Sequence, residues 1–511
     1  MQLKSEIAGL PNFKDFILKD RFNKRALIII AFATILQFAA FKYIYPYASF
    51  IHGDSFSYIG NAINNNGISM YMIGYAMFLR VFSVFSTSDL VLTAFQYFFI
   101  LTAAMSFIFT LFYFYKPSKV LQVILFSFIT INPLFLFMGN LVSSDAFFLA
   151  ISLLWVTTLL WIIERPSLRL IFWHTIIIYI AFTVRYNALI YLFISCIVFL
   201  ISPQSIPRKL LGMGSATLCI GLFILHTGNQ YKALTGTWQY SPFAGWQMAN
   251  NAMYAYRYVD SSQRKPVPAK FQALDNNIRK YFDSTRDTKK YPSEEVMAST
   301  YYMWSPGMPL MNYKSISFLK DSNSSDLRKW ALLGPLYKAY GLQIISKYPY
   351  YFIRYFIWPN TVKYYTPPVE FLEEYNSGKD YVIPIAQKWF GYKTVKVIVR
   401  SHTLEKILLW TYPILSGTVN VILLMSLLSF WVLEGFRQRI AIKNAVLLGA
   451  AIWLLNAAFT IFASSAALRF QAFPFILSTI YASILVDWTA KMAFEKKEIS
   501  HKLFPEKFVP A

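Results

Sequence analysis

The chain is short of the residues that build thiol and metal sites. Its 511 residues include only two cysteines and five histidines. Cys196 and Cys219 both fall within apolar runs, where a thiol is typically a small core group rather than half of a disulfide. The sequence also has no HExxH, CxxC, GxxxxGKS/T or GxSxG motif. Zinc proteolysis, thiol redox chemistry, nucleotide hydrolysis and α/β-hydrolase chemistry are therefore unsupported.

Charged residues are also scarce, at 14% of the chain, whereas 56% of the residues are hydrophobic. A helix needs about 20 mostly apolar residues to cross a hydrocarbon core about 30 Å thick. About ten runs of this kind predict an α-helical polytopic membrane protein. The predicted spans are 26–45, 90–115, 119–138, 145–163, 170–184, 187–202, 209–227, 405–433, 443–463 and 470–488.

Basic residues in the connections predict the orientation of these spans, because short cytoplasmic loops carry the excess of Lys and Arg. The segments 1–25 and 489–511 are both basic and are expected in the cytoplasm. With ten spans, 26–227 forms an N-terminal transmembrane domain and 405–488 the C-terminal transmembrane helices. A multi-pass protein of the inner (plasma) membrane is expected.

A polar segment, 228–404, separates the two groups of spans. It is rich in Tyr and Trp and is interrupted by Pro and Gly, a composition that argues against disorder. Its length fits a small domain. We expect a soluble domain of mixed secondary structure on the extracytoplasmic side.

The charged residues that are present are mostly basic, and the formal net charge is +23 at pH 7. In a soluble protein this excess would suggest nucleic acid as a partner. In a membrane protein, anionic lipid headgroups match such charge. The lipid bilayer is therefore the expected partner, and nucleic acid is not.

Four charged residues fall at predicted span ends on the outer side: Asp54, Asp145, Arg185 and Arg469. Charged groups at such positions are costly to bury and usually face a cavity or a partner. Two carboxylates and two guanidinium groups at one membrane depth could line a single cleft. The simpler alternatives are a helix cap or turn for each aspartate and a headgroup anchor for each arginine.

The first outer loop carries the most specific pattern. The run GDSFSYIGNAINNNGISMYMIGYAMF resembles the first outer loop of membrane-integral C-type (GT-C) glycosyltransferases that use polyprenyl-phosphate sugars. The segments NLVSSDAFFLAISLL, VRYNALIYL, ISKYPYYFIRYF and LRFQAFPFIL are similar to later motifs of that superfamily, which includes aminoarabinosyl- and mannosyltransferases. The matching residues of the loop are Asp54, Tyr58, Ala62, Gly67, Gly74 and Tyr75.

The sequence also departs from that pattern. Ser55 follows Asp54 where two branches of the superfamily carry paired acids, Ala76 stands at the position of a proline, and Phe470 at that of a tyrosine. The sugar and the acceptor are therefore not identified.

The resemblance implies inverting transfer of a sugar from a polyprenyl-phosphate donor to a hydroxyl of a glycan, lipid or protein on the outer face. Asp54 is the predicted base, since a carboxylate can accept the acceptor proton, and Asp145 is predicted to orient the acceptor or the base. Arg185 and Arg469 are predicted to bind the leaving phosphate.

Three further residues complete the predicted substrate site: His52, Tyr58 and Tyr75. No cofactor is required by this chemistry. A Mg²⁺ or Mn²⁺ ion held by oxygen ligands of Asp54 and Asp145, with His52 beside them, remains an alternative.

Two other functions stay open. A lipid-linked oligosaccharide polymerase or ligase would depend on arginines of the long segment, namely Arg257, Arg264, Arg279 or Arg354. A transporter would place ionisable or helix-breaking residues near the midplane of several spans, and these spans have few.

Overall fold

A computed structural model describes residues 9–285, 290, 299–437, 442–463 and 465–503, and these residues are mainly helical. The first half of the chain contains α1 (Phe13–Leu18), α2 (Arg21–Ile44), α3 (Asp54–Asn64), α4 (Gly74–Ser83), α5 (Asp89–Tyr115), α6 (Lys119–Ile131), α7 (Pro133–Asn140), α8 (Ser144–Glu164), α9 (Leu168–Val184), α10 (Leu189–Ile201) and α11 (Ile206–Thr235).

The remaining helices are α12 (Pro242–Tyr256), α13 (Gln272–Ser284), α14 (Tyr301–Trp304), α15 (Pro309–Ser317), α16 (Asp326–Lys347), α17 (Pro349–Phe352), α18 (Trp358–Tyr365), α19 (Pro384–Phe390), α20 (Leu404–Leu409), α21 (Tyr412–Val432), α22 (Ile442–Ala463) and α23 (Leu468–Leu503). A π-helical turn, Ile353–Ile357, joins α17 to α18.

Within the described residues, eight helical stretches are long and apolar enough to cross a membrane. The chain is therefore an α-helical multi-pass membrane protein. The two shortest predicted spans coincide with shorter apolar helices, Leu168–Val184 and Tyr186–Ile201. The eight stretches are Arg21–Ile44, Asp89–Tyr115, Lys119–Asn140, Ser144–Glu164, Ile206–Thr235, Leu404–Val432, Ile442–Ala463 and Leu468–Phe494.

Local sequence explains where these helices break. Asn132 and Pro133 interrupt the third stretch, because a proline lacks the amide hydrogen that would continue the helix. The Asn132 side chain then accepts a hydrogen bond from the Leu134 amide, at 3.1 Å, and caps α7. This is the favoured pairing of an Asn cap with proline at the first helical position.

The centre of the bundle is formed by α5 and α8, whose most apolar windows are 78% and 83% buried. The corresponding windows of α2 and α11 are only 22% buried. Because these two helices are apolar and yet exposed, they are the ones that would face lipid.

The segment 228–404, hereafter the interspan segment, has a hydrophobic core of its own. Helices α12 and α16 cross closely at glycines, since a methyl group on Gly245 would overlap the carbonyl oxygen of Gly334. The core is aromatic and includes Trp246, Trp330, Tyr337, Tyr340 and Phe356.

The mixed secondary structure expected for this segment is not found. The part of it that the structure describes is helical, with one isolated antiparallel bridge between Tyr381 and Lys396. Aromatic residues favour strands in isolation. Here Trp330, Leu333, Tyr337 and Tyr340 follow the three- and four-residue spacing of one helix face, and all four are buried in the core of the segment.

Candidate functional site

A cavity of about 590 Å³ lies where one end of the helix bundle meets the interspan segment. The bundle contributes the loop and start of α3, the start of α8, the turn after α9 and the start of α23. The interspan segment contributes α12, α14 and the chain around Glu370. The size is that of a site for a small organic ligand.

Two carboxylates and two guanidinium groups form one network at the cavity floor. Arg469 binds Asp54, with 3.1 Å between Nη2 and Oδ2. The same guanidinium binds Asp145, with 3.3 Å between Nη1 and Oδ2. Asp145 also forms an ion pair with Arg185 through Oδ1. The structure thus joins four charged residues that are spread over most of the sequence.

The two aspartates differ in how deeply they are buried. The side chain of Asp145 is 0% exposed and that of Asp54 is 26% exposed. Asp54 lines the cavity, whereas Asp145 lies beneath the two guanidinium groups and accepts a further hydrogen bond from the Ser143 hydroxyl. Asp145 is therefore placed to hold the arginines, and Asp54 is the carboxylate that a ligand could reach.

Aromatic rings fix the direction of both guanidinium groups. The Cζ atom of Arg469 lies 4.4 Å from the ring centroid of Phe371 and 4.3 Å from that of Phe470. Phe470 is shared, because Arg185 lies 4.9 Å from its centroid. Cation–π contacts of this kind are strongest in desolvated surroundings. Phe470 thus contacts both arginines.

Phe371 adopts a left-handed backbone conformation, with φ of 70°. A bulky residue rarely adopts this conformation, and it costs about 1–3 kcal/mol. Such strain is most often found at functional sites. Here it places the ring over Arg469.

Local backbone geometry also presents Asp54 to the cavity. Gly53 has φ of 105°, which a glycine tolerates far better than other residues. This turn makes Asp54 the first residue of α3. The Tyr71 hydroxyl then donates a hydrogen bond to Asp54 Oδ1 at 2.8 Å.

Tyr58 belongs to the same hydrogen-bonded layer. Its hydroxyl donates to Ser144 Oγ at 3.3 Å, and Arg185 Nε donates to the same oxygen at 3.1 Å. Burial, with the nearby Asp54 carboxylate, raises the pKa of Tyr58 to about 12. The same two causes raise the pKa of Tyr71 well above its usual value. Both phenols therefore stay protonated as donors at neutral pH.

His52 lines the rim of the cavity. Its ring packs against Phe56 and Tyr381, at 4.9 and 5.8 Å between centroids. Burial, followed by the charge of Lys379, lowers the pKa of His52 from its usual 6.5. The imidazole is therefore neutral at pH 7.

Tyr75 lies behind the wall of the cavity. Its side chain is fully buried, and its hydroxyl donates to Gln96 Oε1 at 2.7 Å. The ring contacts Tyr58, at 5.0 Å between centroids. Any influence of Tyr75 on a ligand would pass through Tyr58.

The predicted alternative of a divalent cation has little support in the donor set. In the described part of the chain, no group of three or more His, Cys, Asp or Glu is placed to hold a metal ion. Asp54 and Asp145 are bridged by Arg469, so a guanidinium group occupies the position between these two carboxylates.

Sequence reasoning missed several residues of the cavity, among them Tyr71, Trp304, Glu370 and Phe371. Tyr71 follows the Asn-rich turn of the first loop, and Glu370 and Phe371 belong to the interspan segment, far from any span end. Glu370 is partly buried. Burial raises its pKa, and the charges of Lys363 and Arg469 oppose that rise. The one sequence signal for Glu370 and Phe371 is the aromatic and acidic content of the stretch TPPVEFLEE.

Comparison with protein-family models, with curated proteins and with solved structures gives no match to this chain.

Proposed function

We propose that the protein, at this cavity, transfers a sugar from a polyprenyl-phosphate donor to a hydroxyl acceptor, with inversion at the anomeric carbon. The observation that carries the proposal is the network of Asp54, Asp145, Arg185 and Arg469 at a cavity between the bundle and the interspan segment. It supplies two needs of this reaction in one place: positive charge for a leaving phosphate and a reachable carboxylate for a proton.

The donor phosphate would bind at Arg185 and Arg469. Both guanidinium groups line the cavity, and planar guanidinium groups match phosphate oxygens well. Asp145 and the phenylalanine rings hold them in place before the substrate arrives. Preorganised donors of this kind stabilise the charge that develops on the leaving group.

Asp54 would accept the proton of the acceptor hydroxyl. The acceptor oxygen forms a bond to the anomeric carbon, the bond from that carbon to the phosphate oxygen breaks, and the electron pair leaves with the phosphate. The acceptor proton passes to the Asp54 carboxylate. One displacement with one base inverts the anomeric configuration.

The same proposal places the interspan segment on the extracytoplasmic side of the plasma membrane. The basic termini, 1–25 and 489–511, favour this orientation through the positive-inside rule. The donor lipid would then reach the cavity from the outer leaflet.

The polymerase or ligase alternative receives less support. Its four candidate arginines have partners inside the interspan segment, and none lines the cavity as far as the chain is described. Arg279 pairs with Asp275 at 2.6 Å and Arg264 with Asp283 at 2.8 Å. Arg354 bonds the Tyr350 hydroxyl, and Arg257 the Thr285 hydroxyl.

The test is sugar transfer from polyprenyl-phosphate sugars by the purified protein in lipid nanodiscs. Asp54→Asn should lower kcat by about 100-fold or more, as loss of a general base does, whereas Asp283→Asn should leave it unchanged. Addition of EDTA separates a metal-free enzyme, which keeps its activity, from one that needs a cation. Full activity in Asp54→Asn, or no consumption of any polyprenyl-phosphate sugar, would refute the proposal.

A further inference from the structure

The two sides of the cavity differ in chemistry. The bundle side carries the charged groups Asp54, Arg185 and Arg469. The opposite side, here called the interspan wall, is formed chiefly by Phe243, Gln247, Tyr301, Trp304 and Glu370. Among the residues that the structure describes, this wall contributes no Lys or Arg to the cavity.

The interspan wall presents aromatic rings that are only partly buried. Phe243 and Trp304 lie 6.2 Å apart between centroids, and Tyr71 lies 5.6 Å from Trp304. Behind them, Trp246 and Trp330 of the core are 0% and 1% exposed. Phe243 and Trp304 pack against the edge of that core. Both rings also line the cavity.

Polar groups border these rings. Glu370 contributes a carboxylate, Gln247 an amide, and Ser305 a hydroxyl to the same wall. Carboxylate and amide oxygens accept hydrogen bonds from hydroxyl groups. No lysine or arginine of this wall lines the cavity in the described residues, and the Glu370 carboxylate, although it lies near the charges of Lys363 and Arg469, disfavours a second anionic ligand there.

The geometry points to a subsite for a neutral, hydroxyl-rich sugar ring on the interspan wall, with Trp304 as its platform and Glu370 as its hydrogen-bond acceptor. The apolar face of a pyranose carries C–H hydrogens of slight positive charge, which suit the negative face of an aromatic ring. The hydroxyls at its edge suit Glu370 and Gln247.

The subsite would hold the acceptor of the proposed reaction, and in this role it rests on the proposed function. Tyr71 links the two sides, because its ring lies beside Trp304 while its hydroxyl donates to Asp54. A sugar stacked on Trp304 therefore lies next to the group proposed to take its proton. The acceptor would be a neutral glycan rather than a protein or an acidic lipid.

Binding can be tested without donor and without turnover. The protein in nanodiscs is titrated with neutral trisaccharides, namely maltotriose, cellotriose and mannotriose, and with trigalacturonate as the acidic counterpart, by saturation-transfer NMR. The variants are Trp304→Leu and Glu370→Gln, with Trp410→Leu as the matched control, since Trp410 is 67% exposed outside the cavity. Thermal unfolding checks that each variant is folded.

We expect at least one neutral trisaccharide to bind wild type and the control equally. Its affinity should fall about tenfold in Trp304→Leu, the loss that one ring-stacking contact of about 1.4 kcal/mol would cause. Glu370→Gln should weaken binding as well. Equal binding to Trp304→Leu and wild type, no binding of any neutral trisaccharide, or tighter binding of trigalacturonate would overturn the subsite.

Two further readouts separate this inference from the proposed function. Trp304→Leu should raise KM for a glycan acceptor while the KM for the polyprenyl-phosphate donor stays unchanged, and a rise in the donor KM instead would overturn the acceptor assignment. Neutral glycan binding with no sugar transfer by wild type would support the subsite and refute the transferase.

Discussion

Among the residues that the structure describes, Asp145 is the one carboxylate with an ion pair to each guanidinium group of the site. Its side chain is fully buried between Arg469 and Arg185. Asp145→Asn would leave these two cations with too little compensating charge, and breaking a buried ion pair from one side costs about 3–5 kcal/mol. We expect a correspondingly large fall in the free energy of unfolding, measured by thermal or denaturant unfolding in detergent.

An exposed ion pair provides the control for that substitution. Glu374 and Lys406 lie 3.3 Å apart with side chains 55% and 60% exposed. Glu374→Gln should change stability by less than about 1 kcal/mol, because solvent screens such pairs. Equal effects of the two substitutions would show that the network does not hold the fold together.

Glu370 should make stability depend on pH. Burial raises its pKa above the usual 4.5, so the folded protein keeps this proton at pH values where the unfolded chain has lost it. The contribution of Glu370 to the free energy of unfolding is therefore complete below pH 4.5. It is lost as the pH rises through the raised pKa. Glu370→Gln should remove that loss, and its Tm should exceed the wild-type Tm increasingly as the pH rises from 4.5 through the raised pKa. A Tm difference that does not change with pH would contradict this account.

At the scale of elements, α17, the π-helical turn and α18 divide their residues between two faces. Phe352 and Phe356 are buried in the interspan core, whereas Tyr350, Ile353 and Trp358 are 61%, 59% and 66% exposed. Asn360 ties α18 to the end of α22 by donating to the Ile461 carbonyl oxygen at 2.8 Å. An exposed aromatic face beside a span end is typical of the membrane interface.

The prediction for this element is that Trp358 lies at headgroup depth. Brominated lipids in nanodiscs quench tryptophans near the bilayer, so Trp358→Phe should reduce the quenched fraction of the fluorescence. Trp330→Phe, at a buried core position, should not reduce it. Quenching that is the same in the Trp358 variant and wild type would place the element in water.

The positions of eight of the ten predicted spans agree with the long apolar helices of the structure, because apolar length is a local property. The predicted 443–463 and the observed Ile442–Ala463 differ by one residue. The secondary structure of the interspan segment could not be predicted as readily. Its Tyr and Trp residues satisfy strand propensity and helix spacing at once, and packing of α12 on α16 decides between them.

At the scale of the whole molecule, the sequence indicated four charges at one depth but not how they pair. Asp54, Asp145, Arg185 and Arg469 could each have been a cap or a headgroup anchor. Their pairing depends on where α8, α9 and α23 converge. Glu370, Phe371 and Trp304 were not predicted, because the fold of the interspan segment brings them to the cavity. No local sequence pattern indicates that placement.

The ion pair between Arg469 and Asp54 joins residues that are 415 positions apart, and this has a consequence for biosynthesis. Asp54, Asp145 and Arg185 enter the membrane early, and the arginine that completes their charge balance emerges from the ribosome only with the last span. A chain cut before Arg469 therefore keeps two carboxylates, Asp54 and Asp145, against a single guanidinium group, that of Arg185.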